Sequence, residues 1–252
     1  MRDENEDRFV VREDGGLVLM AVADGVGGGP GGEIAAQAAV SELAARFFAA
    51  PRTQPVAERL GDAMREANTA VLKAAEASSK PSAASTLVAG VVDGASLVIA
   101  NLGDSRAYLV RDGASRQITE DHAGTEVHGI TRFVGDSRGV QPDVFVEDLR
   151  PGDRLVLCSD GLTRHVEPPE IASTIGADGA TLEAGADALV ALANSRGGED
   201  NVTVILYAAG RAARLSDRQR GTLALGIFIV FVVLVVAGAF AVLFAVAPGV
   251  AP

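Results

Sequence analysis

The chain has 252 residues and a formal net charge of -11, with 22 Lys and Arg residues against 33 Asp and Glu residues. Nucleic-acid binding needs a basic surface that neutralises phosphates, so this acidic balance argues against it and suits a protein that binds divalent cations. The single cysteine, Cys158, excludes a disulfide framework and is compatible with a reducing compartment.

The N-terminal part of the chain predicts two strands followed by two helices. A short apolar strand is expected at Phe9–Val11, and the apolar run Leu17–Ala23 is typical of a buried strand. Asp24 and a series of glycines follow this run directly. Helices are predicted over Glu33–Ala50 and over Val56–Ala77, where apolar residues recur at helical spacing.

The middle of the chain changes from helices to strands that are separated by tight turns. Asp93-Gly94 and Asp112-Gly113 are dipeptides that favour two-residue hairpins. This order of helices and antiparallel strands predicts an α+β layered domain. The predicted strands are Ala84–Val92, Ser96–Asn101, Ala107–Arg111, Arg116–Thr119, Val144–Glu147, Arg154–Cys158 and Val202–Ala208, and the predicted helices are Glu167–Thr174 and Leu182–Asn194.

The C-terminal segment Thr222–Ala247 contains no charged residue. As a helix it would span about 39 Å, more than the ~30 Å hydrocarbon core of a bilayer. Arginines precede it, and the positive-inside rule therefore places the large N-terminal part in the cytoplasm. We expect a cytoplasmic domain at 1–209, a basic linker at 210–221, a single transmembrane helix at 222–247 in the cell membrane and a short external tail at 248–252.

Asp24 at the tip of a buried strand is the first candidate for chemistry. A buried carboxylate is costly unless a cation meets it, and the following glycines let the backbone approach a ligand closely. A P-loop is excluded because no Lys occurs in Met1–Ala50. Gly27-x-Gly29-x-x-Gly32 fits a dinucleotide fingerprint formally, but no second strand ending in an acid follows the helix. A metal site is therefore the better interpretation.

Four more aspartates lie beside apolar runs in the same way as Asp24. Each of them alone is typical of a turn or a helix cap. Five in one chain indicate a site for hard cations such as Mg²⁺ and Mn²⁺, which take carboxylate, carbonyl and water oxygens. Two such ions close together can deprotonate a bridging water and clamp a phosphoryl group. The four are Asp7, Asp104, Asp160 and Asp200.

Six segments in this order resemble the type 2C metal-dependent protein Ser/Thr phosphatases over nearly all of residues 1–208. The resemblance implies an αββα sandwich, in which two antiparallel sheets are flanked by helix pairs and metals lie between the sheets at one end. The segments are Arg2-x-x-Asn5-Glu6-Asp7, Ala23-Asp24-Gly25-Val26-Gly27-Gly28 with Gly32-Glu33, Asn101-x-Gly103-Asp104-Ser105-Arg106, Ile130-Thr131-Arg132, Cys158-Ser159-Asp160-Gly161-Leu162 and Asp200-Asn201.

The resemblance also implies the roles of individual residues around two core ions, Mn²⁺ or Mg²⁺. Asp24 would bridge both ions, the Gly25 carbonyl would bind one of them, and Asp160 and Asp200 would bind the other. The implied reaction is a one-step, in-line attack of the bridging hydroxide on phosphoserine or phosphothreonine. The implied substrates are phosphoproteins, targets of a Ser/Thr kinase in bacterial signalling.

Three further residues receive roles from the resemblance alone. Asp7 would hold metal-bound water, and Arg2 would grip the substrate phosphate. Asp104 would share a weak third metal with Asp160.

Departures from the family keep two alternatives open. Gly29 stands where some relatives carry a His that serves as a general acid, and the loop from His122 to Ile130 lacks the helical flap of bacterial relatives. A pseudophosphatase that only docks phosphoproteins is one alternative. A partner-switching phosphatase for anti-sigma-antagonist proteins is the other, and the short loop favours it. His122, His128 and His165 are expected at the surface or as supporting groups.

Overall fold

A computed structural model describes residues 5–26, 31–80, 82–124, 129–176 and 181–210, and the backbone of 232–236. The helices are α1 (Gly32–Ala49), α2 (Val56–Ala77), α3 (Asp160–Thr163), α4 (Pro168–Ile175) and α5 (Leu182–Ser195). The strands are β1 (Arg8–Asp14), β2 (Leu17–Ala23), β3 (Gly25–Val26), β4 (Ala84–Ser85), β5 (Leu87–Asp93), β6 (Ser96–Leu102), β7 (Arg106–Arg111), β8 (Ala114–Gln117), β9 (Asp143–Asp148), β10 (Arg154–Cys158), β11 (Val202–Ala208) and β12 (Val232–Val236).

The strands form two antiparallel sheets and one small ribbon. The first sheet has the order β1-β2-β5-β6-β9, and the second has the order β12-β11-β10-β7-β8. β3 and β4 pair with each other as a two-stranded ribbon. The helix pair α1 and α2 packs on the first sheet, and α4 and α5 pack on the second. The predicted αββα sandwich is therefore confirmed.

The central strand β2 explains why a continuous apolar run is needed here. Leu17, Leu19, Ala21 and Ala23 belong to the apolar cluster beneath α1 and α2, whereas Val18, Met20 and Val22 belong to the cluster between the sheets. Successive side chains of a strand point to opposite faces. Because both faces of β2 are covered, all seven residues are buried.

The predicted hairpins are present, and one predicted strand is divided. Asp112 and Gly113 both have positive φ, as a two-residue turn with this twist requires. The run predicted as one strand at Ala84–Val92 is interrupted at Thr86, whose N–H donates to the Asp24 carbonyl at 2.8 Å. Sequence analysis also missed α3, because four residues are too few to show a helical period.

The predicted membrane segment is described only in part. Val232–Val236 is a strand antiparallel to β11, with Val202 opposite Val236. The helix predicted over 222–247 is therefore not present at these five residues. Residues 222–231 and 237–247 lie outside the described part of the chain, and the transmembrane helix stays a prediction. Within the described ranges, no helix has the length and apolar character needed to cross a bilayer.

Candidate functional site

The pairing of the strands brings the five predicted aspartates to one end of the sandwich. In the first sheet Arg8 pairs with Ala23, so the residues before β1 and after β2 are neighbours. In the second sheet Cys158 pairs with Val204, so the residues after β10 and before β11 are neighbours. The aspartates at these strand ends are Asp7, Asp24, Asp160 and Asp200, and Asp104 follows β6.

The backbone of Asp24 is fixed by the ends of β4 and β5. Its N–H donates to Thr86 Oγ1 at 3.0 Å, and its carbonyl accepts from the Ser85 hydroxyl at 2.8 Å. A Cβ at the next residue, Gly25, would lie 2.5 Å from the carbonyl carbon of Gly32 in α1. Only glycine fits this approach, so the Gly25 backbone is held in place between β2 and α1.

Asp160 is fixed by close packing of α3 against the segment that precedes β11. A Cβ on Gly161 would overlap the Asn201 carbonyl oxygen, so glycine is required for this approach as well. The Ser159 hydroxyl donates to Asp7 Oδ2 at 2.8 Å and accepts from the Thr203 N–H at 3.0 Å. Ser159 therefore ties the start of the first sheet to the second.

Burial and the charges of neighbouring carboxylates raise the pKa values of three aspartates of the site. Burial, followed by the charges of Asp7, Asp160 and Asp200, holds the pKa of Asp24 well above its usual range. Burial raises the pKa of Asp7 to about 6, with a contribution from the charge of Asp160. Burial and the charge of Asp160 also raise the pKa of Asp104 to about 6. These mutual effects place all five aspartates in one electrostatic cluster.

The residues present fit divalent cations. Among the buried side-chain oxygens that lack a hydrogen-bond partner in the described ranges are Asp7 Oδ1, Asp104 Oδ1 and Asp160 Oδ1. An unpaired buried carboxylate oxygen is costly, and a hard cation is the ligand that such oxygens prefer. The described residues contain no group of three such side chains already at metal-binding spacing.

An arginine that the sequence analysis did not identify lies within this cluster. Arg164 follows α3, where its Nη2 contacts Asp160 Oδ2 and its Nη1 lies 3.3 Å from Asp200 Oδ2. The spacing of four residues between Asp160 and Arg164 is the only sequence signal, and it is informative only if the segment is known to be helical.

A cleft of about 160 Å³ opens beside Asp104 and Asp160. Its charged lining includes Arg106 and Arg164. Arg106 is held by Asp121, to which its Nε and Nη2 donate at 2.7–3.0 Å. The cleft therefore has one arginine fixed by a carboxylate outside the cluster and one paired with the cluster itself.

His122 supports the loop that carries Asp104. The buried ring accepts from the Gly103 N–H through Nδ1 at 3.1 Å, and its Nε2 lies 2.9 Å from Asp143 Oδ2. The Thr131 N–H and hydroxyl both donate to the His122 carbonyl. The prediction of a supporting group is therefore confirmed for His122.

The short loop returns on itself beside His122. Ala123 and Ile130 form an isolated bridge, which leaves only 124–129 between them. Residues of the sequence motifs that lie outside the described part of the chain include Arg2, Gly27, Gly28, Gly29 and His128, and the phosphate-binding role of Arg2 stays a prediction.

Comparison with known proteins places these features in a family. Residues 2–194 match the family model described as "Protein phosphatase 2C". A protein named "Serine/threonine phosphatase stp" from Listeria monocytogenes is 33% identical over 231 residues, which cover 82% of this chain and 90% of that protein.

Two solved structures have the same fold. The serine/threonine phosphatase PstP/Ppp of Mycobacterium tuberculosis superposes with a TM-score of 0.73 and 30% identity, covering 83% of this chain and 94% of that one. A catalytic domain of PstP described as a complex with 2 manganese ions superposes with a TM-score of 0.70 and 33% identity, covering 82% of this chain and 91% of that one.

Proposed function

This chain belongs to the protein phosphatase 2C family, and from that premise we propose that it is a protein Ser/Thr phosphatase that hydrolyses phosphoserine and phosphothreonine. The observation that carries the proposal is the cluster of five aspartates, three of which have a buried oxygen without a partner. Retention of all five argues against a protein that only docks phosphoproteins. The names of the relatives favour the Ser/Thr phosphatase branch over the partner-switching alternative.

The family uses Mn²⁺ or Mg²⁺, and we assign the ligands as follows. Asp24 and the Gly25 carbonyl would hold one core ion, and Asp24, Asp160 and Asp200 would hold the second. The ions, when bound, supply the nucleophile and neutralise charge on the phosphoryl group.

The remaining roles belong to side chains of this chain. Thr86 and Ser85 fix the backbone of Asp24, and Ser159 orients Asp7. Arg2 would hold the substrate phosphate by charge-assisted hydrogen bonds. Asp104 would share a third, weakly held ion with Asp160.

The test is hydrolysis of a phosphopeptide by the full chain at a series of Mn²⁺ concentrations. We expect activity that rises with Mn²⁺ and disappears in EDTA. The matched control is Asp62→Asn, which removes an exposed carboxylate on α2 that pairs with Arg65. Full activity in EDTA would disprove the metal-dependent reaction.

The location of the chain is a separate proposal. We propose that 222–247 anchors the chain in the cell membrane with 1–209 in the cytoplasm. The uncharged length and the preceding arginines support this, and the strand at Val232–Val236 is the observation that counts against it. A reporter fused after Pro252 should be external, and the protein should resist carbonate extraction. An internal reporter on an extractable protein would disprove the anchor.

A further inference from the structure

Arg164 places a positive charge beside the two carboxylates of the second sheet. It lies one helical turn after Asp160 and contacts both Asp160 and Asp200. The side chains of these two aspartates are only 12% and 6% exposed, whereas Arg164 is 34% exposed. One partly exposed guanidinium at the cleft therefore pairs with two nearly buried carboxylates.

Arg164 differs in this respect from the other arginine of the cleft. Arg106 makes its ion pair with Asp121, outside the cluster. Arg164 has both of its ion pairs within the cluster, so any ion that binds there must share these partners with it. Burial opposes the charge of Arg164, but the charges of Asp160, Asp200 and Asp24, together with the hydrogen bond to Asp160, raise the pKa of the guanidinium.

We propose that Arg164 is a tethered counter-ion of the metal site, which weakens the binding of a divalent cation to Asp160 and Asp200. This inference rests on the proposed function, because it concerns the same ligands. Asp160 offers Oδ2 to Arg164 while its Oδ1 is buried and without a partner. A cation at Oδ1 would be close to the guanidinium, and the two positive charges would repel each other.

The consequence is that a higher concentration of Mn²⁺ is needed to fill the site. By thermodynamic linkage, if the ion weakens the pairs of Arg164, then Arg164 weakens the affinity for the ion by the same factor. Solvent screens a side chain that is one-third exposed, so the factor is modest, about three- to tenfold in Kd. The second core ion would therefore bind only at Mn²⁺ concentrations higher than the carboxylates alone would require.

The test compares Mn²⁺ binding to the full chain and its variants by isothermal titration calorimetry. Arg164→Gln removes the charge and should lower the Kd for Mn²⁺ about three- to tenfold. Arg164→Lys keeps the charge and should remain close to wild type. The matched control is Arg196→Gln, because Arg196 is 39% exposed and pairs with Glu170 outside the cluster; it should leave the Kd unchanged.

Thermal unfolding gives a second readout that a purely structural role would not produce. Without metal, Arg164→Gln should unfold at a lower temperature than wild type, because the carboxylates lose their counter-ion. With saturating Mn²⁺ its gain in unfolding temperature should exceed that of wild type. If Arg164→Gln does not fold, Arg164→Met repeats the comparison with an unbranched apolar side chain.

The outcomes separate this inference from the proposed function. An equal or weaker affinity for Mn²⁺ in Arg164→Gln would overturn the inference and leave the phosphatase assignment intact. Absence of Mn²⁺ binding in the wild type would overturn the proposed function and the inference together.

Discussion

Both sheets contribute carboxylates to the same site, but the carboxylates of the two sheets have different neighbouring groups. On the first sheet, the Asp7 carboxylate accepts from the Ser159 hydroxyl, and no described Lys or Arg side chain forms an ion pair with Asp7 or Asp24, although the charge of Arg164 interacts with Asp24 at longer range. On the second sheet, Asp160 and Asp200 share Arg164. We call Asp7 and Asp24 the first half of the site, and Asp160 and Asp200 the second half. The first half therefore has no ion-pair partner among the described side chains, whereas the second half has Arg164. Stability and metal affinity should respond differently to changes in the two halves.

The largest expected effect is a loss of catalysis in variants of either half. The accompanying change in unfolding temperature distinguishes the two halves. Asp24→Asn and Asp160→Asn should each lower kcat at least about a thousandfold, because each removes a ligand of a metal that stabilises the transition state. Without metal, however, Asp24→Asn should raise the unfolding temperature by relieving repulsion. Asp160→Asn also relieves repulsion but removes a partner of Arg164, so its increase in unfolding temperature should be smaller. The measurements are phosphopeptide turnover and thermal unfolding in EDTA.

The same two variants also test whether the two halves of the site differ. If Asp160→Asn raises the unfolding temperature as much as Asp24→Asn does, the two halves do not differ as described. Unchanged turnover in either variant would remove that residue from the metal site.

The next effect is a pH dependence of stability in the first half. The pKa of Asp7 is about 6 in the folded protein against 3.8 unfolded, so its contribution to stability is complete below the unfolded value and is lost as pH rises through about 6. Two pKa units correspond to at most about 3 kcal/mol. Metal-free protein should therefore be more stable at pH 5 than at pH 7, as measured by urea unfolding.

Two controls sharpen this prediction. Mn²⁺ should reduce the loss at pH 7, because a cation favours the charged carboxylates. Asp7→Asn should also reduce the pH dependence, since an amide does not titrate. A metal-free protein that gains stability from pH 5 to pH 7 would contradict the raised pKa.

A smaller effect concerns the packing that positions the second half. Gly161→Ala should lower the free energy of unfolding by about 2 kcal/mol, because the new Cβ overlaps the Asn201 carbonyl. The matched control lies on the helix pair of the first half. At Gly61, in α2, the nearest atom to a new Cβ is 3.8 Å away, and Gly61→Ala should stabilise the protein by about 0.5–1 kcal/mol. Equal stability of both variants by chemical denaturation would exclude this contact.

The smallest effect is expected for Asp104, at the edge of the cluster of aspartates. Asp104 follows β6 of the first sheet, and the charges of Asp160 and Arg164 couple it to the second half. With few protein ligands a third ion should bind weakly, so Asp104→Ala should lower activity by about two- to fivefold, mainly at low Mn²⁺. A metal titration of activity beside Asp24→Asn measures this. A loss as complete as that of Asp24→Asn at saturating Mn²⁺ would show that the third site is integral.

The sequence predicts the fold well where burial imposes a pattern. Leu17–Ala23 and Arg154–Cys158 have the bounds predicted for them, because strands covered on both faces must be apolar throughout. The Asp-Gly turns are equally clear, since they require positive φ. Each candidate acid is recognisable because it follows or precedes such a strand, although its role depended on the resemblance to a family.

The remainder of the site depends on contacts between distant segments. Nothing local shows that Thr86 would leave its strand to hold the Asp24 backbone. Nothing local shows that Arg164 would reach Asp200, because their contact requires both α3 and the register of β10 with β11. Neither residue belongs to a periodic pattern or a known turn, so sequence analysis could not identify them.

The contacts around Asp7 also constrain the order in which the protein can become active during its synthesis. Ser159 meets Asp7 across a separation of 152 residues, and the Glu6 N–H donates to Asn201 Oδ1 across 195. Contacts so distant along the chain form late, after the intervening loops have closed. The ribosome must release Asn201 before the first and last parts of the site can meet. A nascent chain that carries Asp24 and all of the first sheet, but not yet Asn201, should therefore have no phosphatase activity.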